Sequence, residues 1–503
     1  SEIKALLAHP EVSPKPNDDQ LADYFLTHVH DQEMTFFEGV FSLPPAHMAV
    51  LSSQGFAKRR YWDFDPGRTI LLGSFEEYAE AFFCVFEQAV QRRLRSTHPV
   101  AVSVSGGLDS SSILCMAETL ARREPGSPLL HGVSYISEEG SPSDEQKFLV
   151  EIEKKYGTTI HRVPSDPMGL LDGSEDVVRH GESPWLDGLW STVRDSFRTV
   201  QQIGGRVVLT GSWGDHVLFH QAYLIDLFRR LEWREVRAHL DEYGLWLDDV
   251  GPKVFRQRFF LGLLKHHLLR PLYPLIRGIW LNGRIWFKGD RPWFSDTLRR
   301  RASGRAWNRP MSDQWKSPSM QARSIYSEVR SARHVLGMEI NNQLTSMYGL
   351  ETAYPFLDRD LVAFLMAIPG EVLTRGGVPK ALLRAALRGV LPDAIALRRS
   401  KGDYTHLANE AVERDFPRVV HSLDVSGEAV IRGYVTEDGL NKRLNRLGGR
   451  IQGPTCEVAW SLSDLLGLEL WLQVFFGERS NGKGVFAERG SEPKLHMNLG
   501  GRR

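Results

Sequence analysis

The segment PVAVSVSGGLDSSSILCMAETLA, residues 99–121, constrains the fold more than any other part of the sequence. An apolar, valine-rich run ends abruptly in Ser-Gly-Gly, and a helical pattern follows over 113–120. Glycine has no Cβ, so the backbone can turn sharply there and approach a ligand closely. The first N–H groups of a helix lack intrahelical partners, and the helix dipole adds a partial positive charge. The segment therefore predicts a strand, an anion-binding turn and a helix.

Phosphate is the anion that this turn is predicted to hold. Ser105 and the serines at 110–112 add hydroxyl donors beside the backbone of Gly106 and Gly107. Asp109 would repel a bare phosphate, so its presence indicates a bound Mg²⁺ that it helps to ligate. The spacing matches neither the nucleotide P-loop nor the dinucleotide fingerprint. The alternative is a serine-rich turn that binds no ligand.

The balance of charged residues limits which partners the chain is expected to bind. The 503 residues include 62 Lys and Arg against 62 Asp and Glu, so the chain lacks the overall basic field typical of nucleic-acid-binding proteins. Nucleic acid is therefore a disfavoured partner. Three cysteines without paired spacing, Cys84, Cys115 and Cys456, predict buried thiols rather than disulfides or a zinc site.

Localisation is predicted from features that the sequence lacks. No signal peptide opens it, and no apolar run approaches the roughly 18–20 residues that span a bilayer. We therefore expect a cytoplasmic protein without a membrane span. The first residue is Ser rather than Met, which indicates a fragment or a processed form.

Strand-like runs at 100–104, 129–137 and 205–215 alternate with helical segments. This alternation predicts an α/β fold, with a parallel sheet covered by helices on both faces. Ligands of such sheets bind at the carboxyl ends of the strands. Residues 105–112 and 210–215 both fall at such ends, so we expect the two turns to form one site.

The remaining regions differ in composition. Residues 1–70 predict short strands and turns, and 71–480 the main domain, with a helical insertion at 216–340. Within the insertion, 252–301 is strongly basic and aromatic. It has three interpretations: a solvated helical cap, a docking surface for an acidic or peptide substrate, or contact with a membrane surface or nucleic acid. The tail at 481–503 is expected to be disordered.

The sequence resembles the asparagine synthetase family, whose synthetase domain carries an S-G-G-x-D-S pyrophosphatase loop like that at 105–110. Relatives include β-lactam synthetase and the cyclases that close lasso peptides. The further matching segments are TFFEGVFSLPPAHMAVLSSQGFAKRRYWDFD (35–65), GLETAYPFLDRDLVAFLMAIP (349–369), KALLRAALRGVLPDAIALRRSKGDYT (380–405) and LGLELWLQVFF (466–476). The first looks like the family's join between its glutaminase and synthetase domains, which makes 1–70 the end of a glutaminase-like domain and a connector.

The resemblance implies a fold and a reaction. The fold is a Rossmann-like synthetase domain of the adenine nucleotide alpha hydrolase type. The reaction is an AMP-forming carbon–nitrogen ligation that uses ATP and Mg²⁺. A substrate carboxylate attacks the α-phosphorus of ATP to give an acyl-adenylate and pyrophosphate, and ammonia or an amine then displaces AMP.

The resemblance also implies roles for individual residues. Catalytic roles fall to Lys401, which would stabilise developing negative charge, to Asp109, and to Glu351, for which a helix-capping role is the alternative. Asp109 and Asp215 are the implied metal ligands. The implied nucleotide contacts are Ser103, Val104, Ser105, Gly106, Gly107, Asp109, Ser110, Ser111, Tyr135, Thr210, Gly211, Lys380 and Arg384.

Three positions depart from the family pattern. His216 replaces a Glu after the metal Asp, Ser212 stands where the family has Glu or a catalytic Tyr, and Gln343 replaces Lys or Arg. The identities of the acyl and amine substrates are therefore left open. The leading hypothesis is a ligase that activates an aspartate-like acid, and the alternative is a cyclase that closes a macrolactam in a peptide or natural product. Two other classes, a tRNA-modifying enzyme and a non-catalytic nucleotide-binding scaffold, are disfavoured.

The first ten residues bear on the source of the nitrogen. The segment SEIKALLAHP does not resemble the family's N-terminal Cys nucleophile, so we expect this chain not to hydrolyse glutamine. Either glutaminase residues lie outside this sequence, in the same protein or a partner, or the amine comes from elsewhere.

Overall fold

The structure is a computed structural model. It describes residues 2–27, 29–165, 170–187, 189–246, 252–263, 272–287, 291, 293–308, 319–399, 402, 404–423, 427–447 and 457–477.

A five-stranded parallel sheet organises the chain. It is preceded by an antiparallel hairpin of β1 (His47–Ser52) and β2 (Gly55–Arg60). The sheet strands are β3 (Val100–Ser103), β4 (Leu130–Ile136), β5 (Ile160–Pro164), β6 (Val207–Thr210) and β7 (Glu351–Ala353). Their order is β5-β4-β3-β6-β7, so the chain runs outward from β3 on one side and returns on the other. Such a reversal creates a crevice at the carboxyl ends of the central strands.

Helices fill the connections. Those before β6 are α1 (Ile3–Leu7), α2 (Asp18–Leu26), α3 (Phe75–Gln91), α4 (Leu108–Arg123), α5 (Gln146–Tyr156), α6 (Ser174–Gly181) and α7 (Trp190–Gln202). Those between β6 and β7 are α8 (Gly214–Leu218), α9 (Tyr223–Arg229), α10 (Trp233–Trp246), α11 (Pro252–Leu263), α12 (Tyr273–Phe287), α13 (Asp296–Asn308), α14 (Met320–Val329) and α15 (Ala332–Ser346). Those after β7 are α16 (Arg359–Ala367), α17 (Gly370–Leu373), α18 (Ala381–Ala386), α19 (Asp393–Ala396), α20 (Thr405–Ser422), α21 (Glu428–Ile431), α22 (Glu437–Leu447) and α23 (Glu457–Phe476).

Side-chain alternation along β3 explains why the sheet is covered on both faces. Val100 and Val102 lie in one buried cluster with apolar residues of α3, α4 and α16. Ala101 lies in another cluster, with Val200 of α7. Successive strand residues point to opposite faces, so a run that is apolar at every position needs cover on both. The predicted α/β fold and the helical insertion are confirmed.

The N-terminal segment packs against the end of the chain. Phe36 and Phe37 meet the Trp471 ring of α23 edge-to-face, at centroid distances of 5.9 and 5.4 Å. Asp23 of α2 is buried and binds the guanidinium of Arg305 on α13 at 2.7 Å. Residues 18–37 therefore share one hydrophobic cluster with α13 and α23.

The two cysteines within the described residues differ in burial. Cys115 is buried as predicted, but the prediction is wrong for Cys84, which is exposed because it lies on the outer side of α3. Cys456 and the tail at 481–503 lie outside the described residues.

Within the residues that the structure describes, no helix combines the length and the apolar character needed to cross a membrane.

Candidate active site

The turn after β3 takes the conformation that its glycines allow. Gly106 has φ +75°, and a Cβ there would lie 3.0 Å from the Phe148 Cβ and 3.1 Å from the Glu145 carbonyl oxygen. Any larger residue would therefore be strained by its backbone and crowded by α5. The Ser105 N–H donates to the Ser110 hydroxyl at 3.1 Å, which ties the turn to the first turn of α4.

Helix α4 begins at this turn without a side-chain cap. Gly107 is its N-cap residue and has no side chain to accept the first N–H groups. Those groups and the positive end of the helix dipole therefore face the turn, which is the arrangement that binds anions.

The turn after β6 approaches the first turn of α4 at two glycines. A Cβ on Gly211 would lie 2.6 Å from the Ser110 nitrogen, and one on Gly214 would lie 2.5 Å from the Asp109 carboxyl carbon. Only glycine permits these contacts, since real Cβ atoms do not approach so closely. The expectation that the two turns meet is thus realised by backbone contact.

Lys380 joins the two carboxylates that the sequence singled out. Its Nζ lies 2.6 Å from Asp109 Oδ2 and 2.5 Å from Asp215 Oδ1. The side chain is buried, which by itself lowers the pKa of the ammonium, but attraction to the two carboxylates outweighs burial and raises it. Lys380 precedes α18 with φ +56°, an uncommon conformation for a non-glycine residue that commonly marks functional sites. A charged ammonium therefore lies between Asp109 and Asp215.

Two arginines brace this centre. Arg384 donates to the Pro379 and Arg398 carbonyl oxygens and stacks on Trp246, and burial lowers its pKa to about 10 despite the opposing charge of Asp109. Arg398 is buried, donates to the Gly106 carbonyl at 3.0 Å and lies 2.5 Å from Glu145 Oε1. The Arg398 guanidinium therefore holds the glycine turn by binding the backbone of Gly106.

Tyr135 lies near the carboxyl end of β4, on the side of the crevice away from β6. Its ring meets that of Tyr404 edge-to-face at 5.2 Å, and the Tyr404 hydroxyl donates to Glu145 at 2.8 Å. Burial raises the pKa of Tyr135 to about 12, with a smaller effect from Glu145 and Asp187. Two neutral aromatic rings therefore form this wall of the crevice.

A cavity of about 500 Å³ opens beside Asp215. Its apolar walls include Trp185, Trp190 and Met338, and its polar groups include Asp187 and Asn341. Burial raises the pKa of Asp187, opposed by the Leu189 N–H that the carboxylate accepts. A volume of this size is within the range of small-molecule sites.

Not every candidate residue reaches this centre. Glu351 begins β7 and pairs with Val207, the first residue of β6. Its exposed side chain therefore lies at the amino end of the sheet, away from the glycine turn after β3. Ser111 is completely buried, as is almost all of Val104. Lys401 lies outside the described residues, so its catalytic role stays a prediction.

The remaining candidates line the crevice. Ser103 and Thr210 are paired neighbours at the ends of β3 and β6. The Thr210 hydroxyl lies 2.9 Å from the Ser212 hydroxyl, and Ser212 faces the cavity beside Asp215.

The other two departures from the family pattern have different surroundings. Gln343 donates to Glu182 at 3.1 Å, and Glu182 also accepts the N–H groups of Ile3 and Lys4 at 2.8 and 2.7 Å. Gln343 therefore belongs to the anchoring of α1. His216 instead lies on the cavity, and its Nδ1 is 2.8 Å from Glu328.

Glu145, Asp187 and Arg398 were not among the site residues predicted from the sequence. Arg398 falls inside the matched segment 380–405. A lone arginine or aspartate gives no local sign of its burial, so nothing in the sequence distinguished these three residues from surface charges.

These features define an α/β protein whose candidate site lies where a glycine turn, two carboxylates and a lysine meet at the carboxyl edge of a parallel sheet. The asparagine synthase family profile matches residues 84–473, and the glutamine amidotransferase domain profile matches residues 1–62. The chain belongs to the asparagine synthase family. Membership indicates an ATP-dependent amide ligase.

Proteins with similar sequences include one named an asparagine synthetase and one named an amidase. The chain is 24% identical over 471 residues to "Asparagine synthetase [glutamine-hydrolyzing] 3" of Bacillus subtilis, covering 90% of this chain and 69% of that protein. It is 30% identical over 458 residues to "Amidase chry2" of Gibberella zeae, covering 82% of this chain and 66% of that protein. The chain thus spans about two thirds of the length of these relatives.

Proposed function

We propose that this chain activates a carboxylate with ATP and transfers the acyl group to ammonia or an amine. The observation that carries the proposal is the convergence of Asp109, Asp215 and Lys380 beside the N-terminus of α4. A helix N-terminus and a lysine suit the pyrophosphate end of ATP, and two carboxylates suit the metal ion that accompanies it.

Magnesium fits these residues. Asp109 and Asp215 already share one cation, the Lys380 ammonium, and carboxylate oxygens are the protein ligands that Mg²⁺ prefers. When bound, the ion would neutralise charge on the phosphates. Asp109 and Asp215 would hold it, and the Lys380 ammonium would then pair with phosphate oxygens.

Adenylation solves a chemical problem of amide formation. A carboxylate would have to expel oxide, whereas an acyl-adenylate expels AMP. In the first step the carboxylate oxygen bonds to the α-phosphorus and the bond to pyrophosphate breaks. In the second, the amine nitrogen bonds to the acyl carbon, AMP leaves, and the nitrogen loses a proton. The protein mainly positions the groups and stabilises charge.

Residues of this chain divide these tasks. The backbone at Gly106 and Gly107 would cradle pyrophosphate, with Arg398 fixing the turn from behind. Tyr135 would contact adenosine at the aromatic wall. The cavity beside Asp215 would hold the acyl group, with Ser212 at its edge.

The acid is either aspartate-like or part of a larger molecule. The tryptophan and methionine walls of the cavity favour the second candidate function, closure of a macrolactam in a peptide or natural product. For a free acid, the nitrogen donor would be ammonia. A glutaminase domain, whether in this protein or in a partner, is the proposed source of that ammonia, in keeping with the amidotransferase match at residues 1–62.

An isotope experiment tests adenylation. A substrate acid labelled with ¹⁸O in its carboxylate should give AMP that carries one ¹⁸O atom, together with unlabelled pyrophosphate. Candidate acids are aspartate and peptides with an acidic side chain, first ranked by acid-dependent exchange of labelled pyrophosphate into ATP. Formation of ADP with ¹⁸O in orthophosphate would contradict the proposal, because it reports an acyl-phosphate.

Lys401→Ala should lower turnover by about 10²–10³, the usual cost of losing one group that stabilises transition-state charge. The KM for ATP should change much less, because the charge that Lys401 meets develops as pyrophosphate leaves. Lys442→Ala is the matched control, since Lys442 is an exposed lysine of α22 that pairs with Asp438 at 2.6 Å. Equal kcat in the Lys401 and Lys442 variants would remove Lys401 from the reaction.

A further inference from the structure

Three potential metal ligands meet beside the cavity. They are His216 on α8, Glu328 on α14 and His334 on α15, and their ligand atoms all lie within 4.8 Å of one another. Glu328 Oε1 is 2.8 Å from His216 Nδ1 and 3.3 Å from His334 Nε2. Ligand atoms bound to one zinc ion at about 2.0–2.2 Å are about 3.3 Å apart, so small side-chain shifts would suffice.

The orientation of His334 is fixed by its other ring nitrogen. Nδ1 lies 2.7 Å from the Glu328 carbonyl oxygen, and a carbonyl can only accept, so Nδ1 carries a proton and donates. In a neutral ring, Nε2 is then an acceptor that faces the acceptor Oε1 of Glu328. Ligating histidines are commonly held in this way, by a backbone carbonyl on the nitrogen that does not bind the metal.

Charged and aromatic groups surround the three potential ligands. His220 lies near Glu328, and Arg333 lies near His334. The Trp213 ring packs on both imidazoles, at centroid distances of 5.3 Å from His216 and 4.3 Å from His334.

We propose that His216, Glu328 and His334 form a binding site for a divalent transition-metal ion, with zinc as the best match. Two imidazoles and one carboxylate are a known zinc ligand set that leaves a coordination position open. The side chain of His216 is exposed, so this position is accessible from solvent and from the cavity. The site is chemically distinct from the all-oxygen Asp109–Asp215 pair, which suits Mg²⁺.

The proposed ion would connect α8 to two consecutive helices, α14 and α15, that are distant from it in sequence. His216 directly follows Asp215, while α14 and α15 carry Glu328 and His334. One ion would therefore hold the start of α8, and with it one wall of the cavity, against the α14–α15 turn. This inference does not depend on adenylation, because metal binding can be measured without turnover.

Equilibrium dialysis of the full chain against Zn²⁺ tests the proposal, with excess Mg²⁺ present to saturate the carboxylate pair. We expect one zinc equivalent per chain, and a Co²⁺ visible spectrum typical of imidazole ligands at low coordination number. His334→Gln and Glu328→Gln should each weaken binding by at least about tenfold, since even outer-sphere partners are worth that much. Circular dichroism and the Tm of the metal-free variants establish that they are folded.

His180→Gln is the matched control. The His180 Nδ1 lies 3.0 Å from the Asp176 carbonyl, a contact like that of His334, but His180 is outside the three-ligand group. This variant should bind Zn²⁺ like the parent. Parent protein that binds no zinc, or zinc that binds equally well to the folded His334→Gln and His180→Gln variants, would overturn the proposal.

Discussion

Asp109→Asn and Asp215→Asn are each expected to lower acid-dependent exchange of pyrophosphate into ATP by a factor on the order of 10²–10³ or more. Each change removes one negative charge from the pair that holds the Lys380 ammonium at 2.5–2.7 Å and that would hold Mg²⁺. Asparagine keeps the size of the side chain, so the contact between Gly214 and residue 109 can be retained. Pyrophosphate exchange at saturating Mg²⁺ and ATP measures the effect.

Asp438→Asn is the control for these two variants. Asp438 is an exposed carboxylate on α22 that pairs with Lys442, outside the candidate site. Its loss should leave exchange unchanged. Near-parental exchange in the Asp109 or Asp215 variant would show that the carboxylate pair is not the metal site.

Arg398→Met is expected to reduce the free energy of unfolding by about 3–5 kcal/mol, because it leaves a buried carboxylate without its cation. Arg398 and Glu145 have side chains only 6% and 7% exposed, 2.5 Å apart. Methionine can still pack on Phe148, over which the guanidinium now lies at 4.2 Å. Urea denaturation, followed by circular dichroism, measures the change.

Arg432→Met gives the comparison for a more exposed ion pair. Arg432 lies 2.8 Å from Glu428 within α21 and its C-terminus, with 30% of its side chain exposed. Such pairs contribute about 0.2–1 kcal/mol. If the two variants lose equal stability, Arg398 does not hold the glycine turn in the way described. If Arg398→Met is much less stable, restoring neutrality with Glu145→Gln in the same chain should recover part of the loss.

The local pattern at 99–121 was sufficient to predict β3, the glycine turn and α4. Each depends on near neighbours: the continuous apolar run from Val100 to Val102, the missing Cβ of Gly106 and the open N-terminus of α4. The meeting of Asp109 and Asp215 was also predictable, because parallel strands bring their carboxyl ends to one edge. The positions of Lys380 and Arg384 near this centre followed from the family resemblance rather than from any periodicity.

Short strands were harder to predict. β5 (Ile160–Pro164) and β7 (Glu351–Ala353) were not predicted, since three to five residues carry too little periodicity to separate a strand from a turn. The family resemblance implied a catalytic role for Glu351, with a helix-capping role as the alternative. Its pairing with β6 instead places Glu351 at the amino end of the sheet, opposite the edge that carries the glycine turn.

The sequence by itself determined the α/β class, the glycine turn and its two carboxylates, because these depend on neighbouring residues and on the common direction of parallel strands. Only the tertiary structure decided which distant charges meet. Lys380 reaches Asp109 across 271 positions and Arg398 reaches Gly106 across 292, while His216 meets Glu328 across 112. Such pairs are chosen by how α8, α14, α15 and α18 pack around the sheet. The energy of a buried charge depends on the partners that this packing supplies, and no short window of sequence contains them.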